Sequence, residues 1–213
     1  MFWNKKKKEL DEVDRLMKKI KNVTKEEALE MMEIDYPNYP HLPEKVRFDK
    51  EVTMKAVRGS GINLTWANDE LKNDRDVVME AIKGGGGLSS ANERFYDDKE
   101  AVLESIKTDI KGGPGSLVYA SKRLQDDEEV VLKAVGDNGI SLQSASARLK
   151  DDPEIALIAV QNYSGALMHV SERLQNNLNF LLNAFRMESV DMNEISKEEE
   201  LKLIKMFHDK ILN

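Results

Sequence analysis

Self-similarity along the chain constrains its fold more tightly than any single motif. Asp49, Asp74, Asp98, Asp127 and Asp152 each open a segment reading Asp, any residue, Glu or Asp, then an apolar run. The run closes on a small residue plus Val or Ile, at Ala56-Val57, Ala81-Ile82, Ser105-Ile106, Ala134-Val135 and Ala159-Val160. A second apolar set follows in each copy: Leu64/Ala67/Leu71, Leu88/Ala91/Phe95, Leu117/Ala120/Leu124, Leu142/Ala145/Leu149 and Leu167/Val170/Leu174. A recurrence of about 25 residues falls within the roughly 20 to 50 that marks stacking of one supersecondary unit on the next.

Projected backwards, the register reaches Thr24. Thr24, Glu26, Ala28, Leu29, Met31 and Met32 fall on the positions of Asp49, Glu51, Thr53, Met54, Ala56 and Val57, and Tyr39, Leu42 and Val46 on those of Leu64, Ala67 and Leu71. Six copies result, at 24–48, 49–73, 74–97, 98–126, 127–151 and 152–176, followed by a half copy from Asn177 to Arg186. The copy opening at Asp98 carries four extra residues within Thr108 to Gly115.

Inside a copy the apolar spacing is helical. Val77, Val78, Ala81 and Ile82 lie at i, i+1, i+4 and i+5, and Leu88, Ala91 and Phe95 at i, i+3 and i+7, so each set occupies one helix face. Two short helices per copy are expected. The opening Asp caps the first, and the acid two residues on favours the positive end of its dipole. Asp152-Pro153-Glu154 adds Pro at the first helical position, where it removes no hydrogen bond. Glycines at 59 and 61, 84 to 87, 112 and 113, 139 and 165 are expected to stop the first helices. Helices so short are marginal alone. The fold class expected is therefore an all-α solenoid of helix-turn-helix repeats over 24–186, stabilised by stacking.

Both ends of such a stack need covers. Residues 1–23 hold a basic segment and an amphipathic helix with Leu10, Val13, Leu16, Met17 and Ile20. Residues 187–213 hold a second, Ser196 to Leu212, opening on Ser196 and Glu199 in capping-box spacing, with Leu203, Ile204, Phe207 and Ile211 as its apolar face. Both read as end caps. A docking helix for a partner is the alternative.

The copy from Asp127 to Lys150, Asp-Glu-Glu-Val-Val-Leu-Lys-Ala-Val-Gly-Asp-Asn-Gly-Ile-Ser-Leu-Gln-Ser-Ala-Ser-Ala-Arg-Leu-Lys, resembles a family of short tandem repeats known as a domain of unknown function. Its typical unit reads Asp-Arg-Glu-Val-Val-Leu-x-Ala-Val-x-x-Asn-Gly-x-Ala-Leu-x-x-Ala-Ser-x-x-Leu-Lys. The resemblance covers residues 49 to 176 well and 24 to 48 weakly. It implies tandem helical pairs and supplies no activity and no functional residues.

Composition narrows the function. The 213 residues contain no cysteine, which excludes disulfides, thiolate metal sites and cysteine nucleophiles. The net charge of −7 argues against general nucleic-acid binding, which rests on summed cationic contacts to phosphates. No apolar run approaches the ~18 residues of a membrane span. The lysine run at Lys5 to Lys8 is not followed by an apolar segment of signal-peptide type, so a cytoplasmic protein is expected, with a virion or secreted destination still open. The glycine runs lack the Lys-Ser or Lys-Thr of a phosphate-binding loop and follow helices. His41, His169 and His208 lack ligand spacing. No cofactor, no metal and no catalytic residue is expected.

One outward stripe remains. The residue before the central small one of each second helix, His41, Trp66, Ser90, Tyr119, Ser144 or His169, faces away from the core, and Lys45, Glu70, Arg94, Arg123, Arg148 or Arg173 follows four later. Trp66, Arg94, Tyr119, Arg123, Arg148, His169 and Arg173 are the candidate partner-binding residues, aromatic and arginine side chains being enriched at binding hot spots. The structural alternative has Arg94, Arg123 and Arg148 tying each copy to the capping Asp98, Asp127 or Asp152 four residues on. Likewise Trp66 can pack against the first copy. Ser121, Ser146 and Ser171, with Asn68 and Asn92, flank the buried face and are expected to bond local backbone. The function expected is a non-enzymatic module that binds or scaffolds another protein. The alternatives are a subunit of a larger assembly, such as a viral particle or secreted complex, and a nucleotide-binding or hydrolytic protein that uses the glycine turns.

Overall fold

The computed structural model describes residues 22–34, 36–86, 88–109, 115–186 and 196–212. The expected N-terminal helix at Leu10 to Ile20, and Gly87, Gly112 and Gly113, lie outside them. Among the described residues every regular element is helical. The chain divides into two compact bodies, Met1–Asn92 and Glu93–Asn213.

The first helix of each copy forms where the apolar quartets place it. In the N-terminal body these are α1 (Lys25–Ile34), α2 (Lys50–Gly59) and α3 (Arg75–Lys83). In the C-terminal body they are α4 (Lys99–Lys107), α5 (Glu128–Asp137), α6 (Pro153–Asn162) and α7 (Leu178–Ala184), with α8 (Lys197–Leu212) at the end. Each aspartate caps as expected: Asp49 accepts from Glu51 and Val52, Asp74 from Asp76 and Val77, Asp98 from Ala101, Asp127 from Val130 and Asp152 from Glu154 and Ile155. Asn177 takes the same place before α7. Each cap is worth about 1 kcal/mol to a helix of this length.

The quartets form the core. Val77, Val78, Ala81 and Ile82 are fully buried, as are Val130, Val131, Ala134 and Val135. Within each body consecutive first helices lie against one another, α1 on α2 and α2 on α3, then α4 on α5, α5 on α6 and α6 on α7. In the stretch from Thr24 to Phe48, Ala28, Met32, Tyr39, Leu42 and Val46 are buried, and the Tyr39 hydroxyl reaches Arg47 O at 2.9 Å and Thr53 Oγ1 at 3.1 Å. The last helix, α8, packs on α7: Phe207 lies with its ring 5.3 Å from that of Phe185, Ile204 is buried, and Glu199 closes the expected capping box with Ser196.

Two expectations are corrected. The second helix of a copy is not one helix. In the copy from Asp49 a tight three-residue-per-turn stretch, Gly61–Trp66, ends at Ala67, and Ala67 and Asn68 are both extended, with ψ of 163° and 169°. A new four-residue turn, Asp69–Lys72, then starts under the Asn68 cap. Ala145-Ser146 and Val170-Ser171 break the later copies in the same way. The cause is the Ser or Asn side chain, which offers the backbone a cap bond, to Leu71, Leu149 or Leu174 N, that competes with helix continuation. The polar side chain after each buried leucine then donates back across the break: Gln125 to Leu117 O, Lys150 to Gln143 O, and Gln175 to Leu167 O and Val170 O.

Nor do glycines 61 and 139 act by stopping a helix. Each lies where a Cβ would meet a carbonyl of the following copy's first helix, Ala81 O at 1.8 Å for Gly61 and Ala159 O at 2.3 Å for Gly139. They set how closely neighbouring copies approach.

Candidate interaction surface

Polar side chains join neighbouring copies, and two sets of these bonds recur from copy to copy. Near the helix starts, Lys25 bridges Asp49 and Glu51, Lys50 bridges Asp74 and Asp76, and Lys99 bridges Asp127 and Glu129, at 2.7 to 3.2 Å. In the C-terminal body a second set runs along the broken second halves. Arg123 Nε meets Asp97 at 3.0 Å, Arg148 Nε meets Asp126 at 3.1 Å and Arg173 Nε meets Asp151 at 3.0 Å, while each guanidinium also donates to the backbone carbonyl of that aspartate. Ser121, Ser146 and Ser171 donate their hydroxyls to the same three carboxylates and cap the following turn. The serine hydroxyls, and with them the arginines, hold all three carboxyls below the ordinary aspartate range.

The arginines thus tie copies together, but through a different partner from the one their spacing suggests. Four residues forward would be the next capping aspartate. The observed partner is the aspartate that precedes the arginine's own copy, 22 residues back for Arg148 and Arg173 and 26 for Arg123. The reason is the extended break, which turns the arginine off the helix face it would have shared with the residue four before it. Arg94 lies over the ring of Phe95 at 4.5 Å.

The aromatic members of the stripe remain at the surface. Trp66, in the N-terminal body, is half exposed and has Ile62 four residues before it, also exposed. In the C-terminal body Tyr119 is 41% exposed, its ring 6.1 Å from that of Tyr96, and His169 is partly buried. Sequence reasoning missed Val118 and Met168, which stand one residue before Tyr119 and His169 and are 45% and 61% exposed. A signal was there in register, because Thr65, Ser89 and Gln143 fill the same place in other copies. Also missed were Lys122 and Lys150, the first bonded to Gln125 Oε1 at 2.9 Å and the second to Gln143 O at 2.6 Å. Burial, then the nearby Lys122, pushes the Lys150 ammonium down; burial, then Lys150, does the same to His169. His208 bonds Gln175 O through Nε2 at 3.1 Å, and His41 is exposed.

Other places offer less chemistry. Between α4 and α5 a shallow groove of about 840 Å³ is floored by Leu103 and Leu132 and rimmed by charges of both signs. Beside the insertion, Asp109 accepts from Ser116 N at 2.7 Å and Ser116 Oγ at 2.5 Å, and Ser116 Oγ meets Ser105 Oγ at 2.5 Å. Burial raises the Asp109 carboxyl, but both serines are buried, so no substrate reaches them as nucleophiles. Among the described residues no group of three or more His, Asp or Glu side chains could hold a metal ion, and no helix is long and apolar enough to cross a membrane.

Capped helix pairs recurring in register, bonded copy to copy, define an all-helical tandem-repeat protein. The chain belongs to the family described as a domain of unknown function (DUF4116), which matches residues 49–95, 98–150 and 152–198. Each of the first two matches spans two of the copies described above. No curated protein and no solved structure matches the chain.

Proposed function

We propose that the chain is a non-enzymatic α-solenoid whose second-half surface binds another protein. The observation that carries this reading is a division of labour within each copy. The recurring aspartates, serines and arginines are engaged in caps and inter-copy bonds, whereas Val118 and Met168 stand exposed where other copies hold Thr65, Ser89 and Gln143, and Tyr119 where others hold Ser90 and Ser144 or the likewise exposed Trp66. Exposed aromatic and Met side chains are the types that protein interfaces favour. A photo-crosslinking residue in place of Tyr119, with the opposite groove sampled from Leu132, tests it in the source cell. Crosslinks to a second protein from position 119 support the reading. Crosslinks from position 132 alone would refute it.

A second reading, membership of a larger assembly, draws on Leu201 and Met206, which α8 leaves exposed at 59% and 64%. Sedimentation over a range of concentrations separates the two: a clean monomer counts against self-assembly through this helix.

A further inference from the structure

We infer that the C-terminal body takes an acidic segment of a partner protein, its carboxylates set on Lys122, Lys150 and His169 and an apolar side chain set against Val118, Tyr119 and Met168. This rests on the interaction surface proposed above and names what it recognises.

Lys150 occupies a register position filled by Gln125 and Gln175 in the neighbouring copies and by Lys72 in the N-terminal body. Lys150 donates to Gln143 O, while Gln125 and Gln175 fasten the same stretch of their own copies with a neutral amide, to Leu117 O and Leu167 O, one register position earlier. The positive charge of Lys150 is therefore surplus to the fold. Maintaining it costs free energy, because the ammonium is partly buried and faces a second ammonium, that of Lys122. Lys122 in turn donates to the neutral Gln125 Oε1. Among the described residues neither lysine makes an ion pair. The arginines of the same copies differ sharply, since Asp97, Asp126 and Asp151 neutralise Arg123, Arg148 and Arg173.

Backbone bonds bring the group together. Ser146 N donates to Gln125 O at 2.9 Å and Ser171 N to Lys150 O at 3.0 Å, so Lys122, Lys150 and His169 come from three successive copies side by side. In a chain of net charge −7 this is a local excess of positive charge next to exposed apolar side chains. A carboxylate-bearing peptide would relieve the repulsion and cover Val118, Tyr119 and Met168 together. Such complementarity sets specificity and encounter rate.

The test uses the full chain and a fluorescein-labelled Glu-Glu-Phe-Glu-Glu-Phe peptide, with the Lys-for-Glu peptide as control, read by fluorescence anisotropy. The acidic peptide is expected to bind and the basic one not, and moving from low to near-molar salt should weaken binding about tenfold as the charges are screened. Lys150→Gln installs the neutral amide that Gln125 and Gln175 carry at the same register position, so its melting temperature should match that of the parent, while Lys122→Gln with Lys150→Gln should lose about tenfold or more in affinity. If both peptides bind equally and crosslink at position 119, the acidic assignment falls and the surface stands. If neither crosslinks there, both fall.

Discussion

Gly136 and Gly139 lie three residues apart, and their replacement by alanine should have opposite consequences. Neither has a positive φ, so alanine is conformationally acceptable at both, and only the surroundings differ. At Gly139 a Cβ would sit 2.3 Å from Ala159 O and 3.0 Å from Tyr163 N and Cβ, against ordinary contact beginning at 3.4 Å. The obstacle is backbone of α6, so the tight stretch Gly139–Ser144 and α6 must separate by about 1 Å. Overpacking of this kind costs ~1–3 kcal/mol. The shift also strains the grip of Asn162, whose side chain accepts from Gly139 N at 3.3 Å and donates to Gly136 O at 2.6 Å, adding about 1 kcal/mol. A loss of ~3 kcal/mol corresponds to a fall in Tm of about 6–12 °C for a chain of this length. Gly136 lies inside α5 with nothing within 4 Å of its missing Cβ, so Gly136→Ala removes a helical glycine and should stabilise by ~0.5–1 kcal/mol, raising Tm by about 1–4 °C. Urea unfolding of both variants, monitored by far-UV circular dichroism, reads the difference. Equal destabilisation by the two substitutions, or none by Gly139→Ala, would refute the close approach of the Gly139–Ser144 stretch to α6.

Three further outcomes are expected. Because Asp97, Asp126 and Asp151 have folded pKa values below the unfolded one, their stabilisation is fully present above about pH 4 and lost as pH falls through the folded values, so the urea midpoint should drop in acid; replacing all three by Asn should flatten that limb, and an unchanged limb contradicts the inter-copy bonds. Ser146→Ala should cost ~1 kcal/mol through its cap whereas Arg148→Ala, more than half exposed, should cost less, and a double-mutant cycle should show coupling through Asp126; strict additivity argues that the two do not share it. Phe207→Ala removes the ring that α8 sets against Phe185, so amide exchange should rise across α8 while α5 and α6 stay protected, and uniform exchange across all three would show that α8 is not a separately docked cover.

The parts of this fold that sequence reveals are those in which cause and effect lie within one helical turn. The aspartate caps, the buried quartets and the Ser196–Glu199 box depend on residues at most five apart, and all form as read. The break in the second half was also local, written in the Asn68, Ser146 and Ser171 caps three residues before a buried leucine, but the apolar spacing of Leu64, Ala67 and Leu71 fits an unbroken helix equally well. What spacing could not provide was the partner of a side chain one copy away. Gly139 answers to Ala159 and Arg148 to Asp126, each about 20 residues distant, and only stacking brings them together. The same limit explains the candidate surface: Tyr119 and Trp66 were readable as outward residues, whereas the surplus charge of Lys150 emerges only once Gln125 and Gln175 are seen fastening the same stretch with neutral amides.

The four additional residues near Thr108 leave a trace in the inter-copy bonds. Lys99 reaches Asp127 across 28 positions where Lys50 reaches Asp74 across 24, and Arg123 reaches Asp97 across 26 where Arg148 reaches Asp126 across 22. Both intervals lengthen by the same four, yet both bonds close at ordinary length. Extra sequence between helix and turn is thus invisible to the contacts that hold adjacent copies, which makes this junction an attachment port: a reporter peptide or recognition loop grafted between Thr108 and Gly115 should be carried without retuning the scaffold around it.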